Sequence, residues 1–249
     1  MRRALPLLVV VAWAAGCGGG DKRAATAPPP PKVTVSDTGF DGCLRPGPGV
    51  AMVKVPAPGE RLPAVVLGHG GSVGVVFANE SGNVACGWLP YARDITRRGV
   101  RSLLFDYALA NNEDEVLAAA DWLRAHGAKR VVIVGASIGG RAVATAGAKA
   151  HSGQVDAIVS LSGERVLGGQ RDIIVDARRL RAPTLWVSST GDGYTNFAAE
   201  TRQLYRAARD HARPNRLLVV GGDDHGWDLL KGPQAHRVVP AVTGFIRGR

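Results

Sequence analysis

Short apolar runs rich in β-branched residues alternate along the chain with longer stretches whose apolar positions recur at helical spacing. The short runs are typical of buried strands, and the longer stretches, some of them rich in alanine, are typical of helices. The pattern predicts strands over 49–55, 64–68, 100–105, 130–134, 157–161, 184–188 and 216–220. It predicts helices over 89–98, 113–126, 138–150, 174–180, 196–211 and 233–246.

This alternation indicates an α/β fold with a mostly parallel central sheet of about seven to eight strands and helices on both faces. The strands are apolar almost throughout, which fits burial on both sides. Pro240 falls inside the last predicted helix and is expected to kink or break it. The stretch 162–172, which follows the strand at 157–161, is too short to form a lid domain, so we expect an open site.

Residues 1–17 resemble a bacterial export signal. A basic start precedes an apolar segment over 4–15 that is too short to span a bilayer as a helix. Small residues then lead into Cys17, as in the lipobox of bacterial lipoproteins, whose cysteine is lipidated and becomes the new N-terminus. Ala14 stands where a lipobox usually has leucine, and the alternative is an ordinary signal peptide that leaves a soluble secreted protein.

The remainder of the chain divides by composition into a tether and one folded domain. Residues 18–35 are rich in glycine, alanine and proline and cannot bury a core, whereas 36–249 are long enough for one large α/β domain. We expect a lipid anchor to hold this domain at the outer face of the cell membrane. The net charge of +10 comes from scattered arginines without a nucleic-acid motif, so it favours a basic surface beside an anionic membrane over nucleic-acid binding.

Two cysteines remain once Cys17 is assigned to the signal. In an exported chain, Cys43 and Cys86 favour a disulfide, the alternative being two free or buried thiols. The bond would tie the first segment of the domain to a loop further along the chain.

The clearest chemical motif is Gly-Ala-Ser-Ile-Gly-Gly at positions 135–140. It lies between a predicted strand and an alanine-rich predicted helix, the setting in which a Gly-x-Ser-x-Gly sequence forms a nucleophile elbow. A second match places Ser72 at the centre of Gly-Gly-Ser-Val-Gly, but the residues 75–82 that follow are interpreted as a loop. The strand–turn–helix setting therefore favours Ser137 as the nucleophile.

A serine hydroxyl needs a base, and in such an elbow the partners follow in the order serine, acid, histidine. Asp192 comes after the predicted strand 184–188, and His225 comes after 216–220, so both fall in loops at the carboxyl edge of the sheet. We therefore expect Ser137 to attack, His225 to move the proton and Asp192 to orient the imidazole. The competing residues precede these strands, fall within predicted helices or adjoin the histidine: Asp172, Asp176, Asp210, Asp223, Asp224, His211 and His236.

Two backbone N–H groups are expected to stabilise the oxyanion. One is the N–H of Ile138 at the start of the predicted helix. The other is assigned to Gly71, with Ser72 as the alternative, because the predicted strand 64–68 leads into a His-Gly-Gly sequence. His69 is expected to shape that loop through a backbone hydrogen bond.

These features together resemble those of the α/β-hydrolases, in particular the lidless dienelactone-hydrolase-like and carboxylesterase-like members. The His-Gly-Gly loop, the elbow, Asp192 and His225 carry the resemblance, with Trp-Leu-Pro-Tyr-Ala at 88–92 and Phe-Asp at 105–106. It implies a serine hydrolase that cleaves a small-molecule carboxylic ester or thioester without a metal or organic cofactor. Because dienelactone hydrolases use cysteine as the nucleophile, their substrate is not implied. The alternatives are a non-catalytic binding lipoprotein and a peptidase or amidase.

Overall fold

The computed structural model describes residues 43–80, 85–107, 113–166, 168–193 and 196–249. The expected signal sequence, Cys17 and the tether lie outside these residues. No helix in the described part of the chain is long and apolar enough to cross a membrane.

The described strands form one eight-stranded sheet. It is built from β1 (Val50–Ala57), β2 (Glu60–Leu67), β3 (Val73–Ala78), β4 (Arg101–Phe105), β5 (Arg130–Ala136), β6 (Ala157–Leu161), β7 (Thr184–Ser189) and β8 (Asn215–Val220), in the order β1-β2-β4-β3-β5-β6-β7-β8. Strand β2 is antiparallel to both of its neighbours, while β3 to β8 are parallel. The carboxyl ends of β3 to β8 therefore meet along one side of the sheet, here named the carboxyl edge.

Helices cover both faces of the sheet. They are α1 (Leu89–Arg97), α2 (Glu113–Ala125), α3 (Ile138–Lys149), α4 (Ile174–Ala177), α5 (Phe197–Ala208) and α6 (Ala235–Ile246). Apolar side chains of α1 and α6 pack on one face, and those of α2 to α5 pack on the other. Alternate residues of β5 enter the cores on opposite faces of the sheet. Val132 and Val134 pack with α1 and α6, and Val131 and Ile133 pack with α2 to α5. Burial on both faces explains why the strand is apolar throughout.

The predicted architecture is confirmed, with a local difference in the last helix. Helix α6 continues through Pro240, so the expected break does not occur. Between β6 and β7, the described residues form only the short helix α4, and no lid domain is present among them.

Strand β3 is the main error of the sequence interpretation. Residues 75–82 were expected to form a loop, but Val73–Ala78 is a buried strand between β4 and β5. Gly74, the second residue of the strand, obscured the strand pattern because a glycine at that position suggests a turn. In the fold, a Cβ at position 74 would lie 3.0 Å from Leu123 and 3.1 Å from Ala128, so this glycine admits the side chains that cover the strand.

Cys43 and Cys86 form a disulfide across 43 positions of sequence, with their Cα atoms 6.0 Å apart. Cys43 precedes β1, and Cys86 lies in a short 3₁₀ helix over Ala85–Trp88 that leads into α1. The bond therefore ties the beginning of the described domain to the segment between β3 and α1.

Candidate active site

Ser137 occupies the sharp turn between β5 and α3. Its φ of 53° and ψ of −119° lie in a region that non-glycine residues rarely adopt. Glycines flank the turn because a Cβ at position 135 would overlap the backbone of Gly139, and a Cβ at 139 would overlap the backbone at Ala78 and Asn79. The strained serine between two close backbone approaches has the geometry of a nucleophile elbow.

Asp192 and His225 come together at the carboxyl edge although 33 positions separate them. Asp192 follows β7, His225 follows β8, and Nδ1 of His225 lies 2.7 Å from Oδ2 of Asp192. Two further bonds join their loops: Ser189 Oγ donates to the Asp224 carbonyl over 2.7 Å, and Gly191 N donates to the Gly222 carbonyl over 2.8 Å. The buried carboxylate of Asp192 therefore holds the His225 imidazole, and hydrogen bonds join the loops that carry the two residues.

The end of β6 connects the serine turn to the histidine loop. Ser137 N donates to the carbonyl of Leu161 over 2.9 Å, and the next residue, Ser162, accepts a hydrogen bond from Gly226 N at its Oγ over 3.2 Å. Ser162 itself has a positive φ of 47°. Ser137 and His225 thus lie in turns that are fixed to two consecutive residues of one strand end.

The competing acids and histidines make other contacts. Arg165 pairs with Asp172, Arg171 pairs with Asp176, and Arg209 pairs with Asp210 on the surface. Nδ1 of His236 lies 3.0 Å from the carbonyl of Pro233. None of these contacts involves His225 or Ser137.

The assignment of Gly71 as an oxyanion donor is wrong, and the alternative Ser72 fails for the same reason. Because β2 runs antiparallel to β4, its carboxyl end reaches the opposite side of the sheet from Ser137. There the Ser72 carbonyl accepts hydrogen bonds from Lys129 and Arg130 at the beginning of β5, about 20 Å of strand away from the elbow. His69 shapes this remote loop as expected, its Nε2 accepting a hydrogen bond from Gly49 N at 2.9 Å.

The loop after β3 occupies the place that was assigned to Gly71. Its first residue, Asn79, lies against the beginning of α3, since a Cβ on Gly139 would touch the Asn79 carbonyl. The Asn79 amide donates to the Phe105 carbonyl over 2.7 Å, and Glu80 Oε1 accepts from Trp227 N over 2.8 Å. The three valines and the phenylalanine of β3 were the sequence signal that would have located this loop.

Ile138 is the first residue of α3. The first N–H groups of a helix have no carbonyl partner within the helix, and the helix dipole makes this end favourable for negative charge. The backbone N–H of Ile138 is therefore placed next to Ser137 as the sequence analysis expected of one oxyanion donor.

Two glutamates that the sequence pattern did not indicate lie beside Ser137 and His225. The Ser137 hydroxyl donates to Glu164 Oε1 over 3.4 Å, a long hydrogen bond. Burial raises the pKa of Glu164, an effect that the bond from Ser137 and the charges of His225 and Arg141 only partly oppose. Burial likewise raises the pKa of Glu80 against the bond from Trp227 N. In both cases, the neighbouring hydrogen bonds and positive charges offset only part of the cost of burying the carboxylate.

The pKa of His225 is raised by its surroundings. Burial favours the neutral imidazole, but the hydrogen bond and charge of Asp192 outweigh it, with smaller contributions from the charges of Glu80 and Glu164. The ring also lies 4.7 Å from that of Phe197, measured between centroids. The environment thus stabilises an imidazolium, which is the species that forms when a histidine takes a proton from serine.

Comparison with solved structures identifies the fold. An esterase from Pyrococcus furiosus superposes with a TM-score of 0.68 at 14% identity, covering 87% of this chain and 94% of the other. A dienelactone hydrolase from Anabaena variabilis gives 0.62 at 22% identity, covering 79% and 94%. The esterase domain of a Rhodothermus marinus protein gives 0.61 at 22% identity, covering 80% and 98%.

No protein-family model matches the sequence, and no curated protein matches it. The chain has a mostly parallel eight-stranded sheet with helices on both faces, and it superposes over most of its length on esterases and a dienelactone hydrolase. The chain therefore has the α/β-hydrolase fold.

Proposed function

We propose that the protein is a serine hydrolase that cleaves carboxylic ester or thioester bonds through Ser137, His225 and Asp192. The observation that carries the proposal is the 2.7 Å contact between His225 Nδ1 and buried Asp192, formed at the same edge of the sheet as the strained elbow of Ser137. Esterases are also among the proteins that share the fold. Fold alone does not define a reaction, so the proposal depends on this arrangement of side chains.

The roles follow from the contacts. Because Nδ1 of His225 faces Asp192, its other nitrogen, Nε2, is the atom that accepts the Ser137 proton. The hydroxyl leaves its long bond to Glu164, and Oγ attacks the acyl carbon to give a tetrahedral oxyanion. The Ile138 N–H stabilises this charge, together with a backbone donor from the loop that begins at Asn79. The imidazolium then protonates the leaving group, and water hydrolyses the acyl-enzyme by the same route.

Covalent labelling with a fluorophosphonate probe tests the nucleophile. The wild-type protein should become labelled, whereas Ser137→Ala should not. Ser72→Ala is the matched control, because Ser72 sits in the same sequence motif at the opposite side of the sheet, and it should be labelled like the wild type. An unlabelled wild-type protein with no hydrolytic activity would favour a non-catalytic binding protein.

The class of bond is tested with matched substrates. We expect 4-nitrophenyl acyl esters and the corresponding thioesters to be cleaved faster than aminoacyl 4-nitroanilides of similar size. The reverse order would indicate a peptidase or amidase that uses the same three residues.

We further propose that the enzyme works outside the cytoplasm and is held at the membrane by a lipid attached to Cys17. The Cys43–Cys86 disulfide supports this, because such bonds persist mainly in oxidising compartments. Expression in bacteria with a palmitate analogue should label the wild-type protein but not Cys17→Ser. Release of unlabelled wild-type protein into the medium would instead indicate an ordinary signal peptide.

A further inference from the structure

The surroundings of Ser137 are acidic although the whole chain carries a net charge of +10. Glu164 accepts a hydrogen bond from the Ser137 hydroxyl, and the charges of both Glu164 and Glu80 act on His225. Glu200 adds a third carboxylate behind Glu164, where its Oε2 accepts a hydrogen bond from Arg165 N over 2.9 Å. A substrate that approaches the serine therefore meets the Glu164 carboxylate beside the hydroxyl, with the charges of Glu80 and Glu200 nearby.

The arginines near Glu164 bind the loop rather than its carboxylate. Arg141 donates to the carbonyls of Arg165 and Arg171 over 2.8 Å and 2.6 Å. The Arg165 guanidinium forms a bidentate contact with Asp172. These bonds fix the backbone on the C-terminal side of Glu164 and so help to hold its carboxylate beside Ser137.

No charged side chain occurs in the internal segments 81–84, 108–112, 167 and 194–195, which lie outside the described residues. These segments therefore contain no lysine or arginine that would neutralise Glu164. The charges of Arg141 and His225 and the hydrogen bond from Ser137 oppose the burial of the Glu164 carboxylate only in part, since its pKa stays raised, and this leaves an electrostatic imbalance. A positive charge supplied by a ligand would remove it.

We propose that Glu164, assisted by Glu80, makes the enzyme selective for esters that carry a cationic ammonium group beside the scissile bond. This inference rests on the proposed function and deepens it. An ammonium group next to Glu164 would gain an ion pair in a partly desolvated site, whereas a carboxylate on the substrate would be repelled. Because Glu164 Oε1 lies 3.4 Å from Ser137 Oγ, its charge would also oppose the build-up of negative charge on the tetrahedral intermediate, and a substrate cation would offset that repulsion.

The test compares esters of equal shape and different charge. For the acyl side, 4-nitrophenyl 4-(trimethylammonio)butanoate is paired with 4-nitrophenyl 5,5-dimethylhexanoate, in which carbon replaces the charged nitrogen. For the alcohol side, acetylcholine is paired with 3,3-dimethylbutyl acetate. We expect kcat/KM to favour the cationic member of one pair by about tenfold at low salt, and the pair that responds identifies the side that faces Glu164.

Glu164→Gln should bring this ratio close to one, mainly through a higher KM for the cationic ester. The matched control is Glu60→Gln, which removes the same charge at the start of β2. Strands β4 and β3 separate β2 from β5, so this variant should keep the wild-type ratio. Tetramethylammonium should inhibit hydrolysis of the neutral esters competitively in the wild-type protein, compared with potassium at equal ionic strength. This measurement needs no variant and stands even if Glu164→Gln misfolds.

Equal rates on both members of both pairs, or an unchanged ratio in folded Glu164→Gln, would overturn the inference. In either case, hydrolysis of the neutral esters and labelling of Ser137 would leave the proposed function standing. Absence of labelling and of hydrolysis for every ester would instead refute the proposed function and this inference with it.

Discussion

Nδ1 of His225 lies 2.7 Å from Oδ2 of Asp192, and the Asp192 side chain is only 1% exposed. A hydrogen bond that is shielded from water in this way fixes both the tautomer and the orientation of the imidazole. Burial alone would favour the neutral ring, so the acid decides how readily His225 accepts a proton. The catalytic rate and its pH dependence should therefore both depend on this pair.

Replacing Asp192 with asparagine should lower kcat on 4-nitrophenyl esters by about 10³- to 10⁴-fold. The amide has nearly the same shape but stabilises the wrong tautomer and no longer compensates the imidazolium. Circular dichroism and the thermal midpoint should show a folded protein. Asp210→Asn, at a surface ion pair, is the control and should retain wild-type kcat. A loss of less than tenfold in folded Asp192→Asn would remove Asp192 from the triad.

The pH dependence of kcat/KM should report the raised pKa of His225. Only the neutral imidazole accepts the serine proton, so activity should rise with pH, with a midpoint above the ordinary histidine value of about 6.5. Glu80→Gln removes a charge that raises this pKa and should move the midpoint to lower pH. A wild-type midpoint below 6.5 would contradict the electrostatic description of the site.

Ser137→Gly should unfold at a higher urea concentration than Ser137→Ala. Both variants lack the hydroxyl, but glycine tolerates the backbone angles of 53° and −119° that strain every other residue. We expect a difference of about 1 kcal/mol in the free energy of unfolding, after the greater unfolded-state entropy of glycine is included. Equal stability of the two variants would show that the elbow stores no strain.

Loss of the Cys43–Cys86 bond should destabilise the domain by up to about 4 kcal/mol, from the entropy of an unfolded loop of this length. The double serine variant should show this loss in urea unfolding, and dithiothreitol should produce the same loss in the wild-type protein. The reductant should have no further effect on the double variant. A wild-type protein that is indifferent to reduction would indicate that the two thiols are not bonded in solution.

Gly71→Ala should affect stability and spare catalysis. Gly71 has a φ of 93°, and a Cβ there would press on the Gly99 carbonyl, so we expect a loss of about 1 to 3 kcal/mol in the free energy of unfolding. Because Gly71 lies at the far side of the sheet, kcat per folded molecule should stay within about twofold of the wild type. A large fall in kcat with unchanged stability would restore Gly71 to the oxyanion site.

The sequence alone determined the class of fold and the positions of Ser137, Asp192 and His225 within it. Each of these residues comes within five positions after an apolar run. Such runs are recognisable because burial on both faces of a sheet demands β-branched and other apolar side chains over several consecutive positions. Parallel strands then bring their carboxyl ends to one edge. Local pattern and chain order were therefore sufficient to place these three residues.

Only the tertiary structure decided the direction of β2, the presence of β3 and the acidic surroundings of the serine. An apolar run has the same composition whether its strand runs parallel or antiparallel, so the run before Gly71 gave no sign that it ends at the wrong side of the sheet. Gly74 resembled a turn because the side chains of Leu123 and Ala128 that require it are distant in sequence. The approach of Glu164 to Ser137 likewise joins positions 27 residues apart through β6 and its loop, a contact that no local pattern encodes.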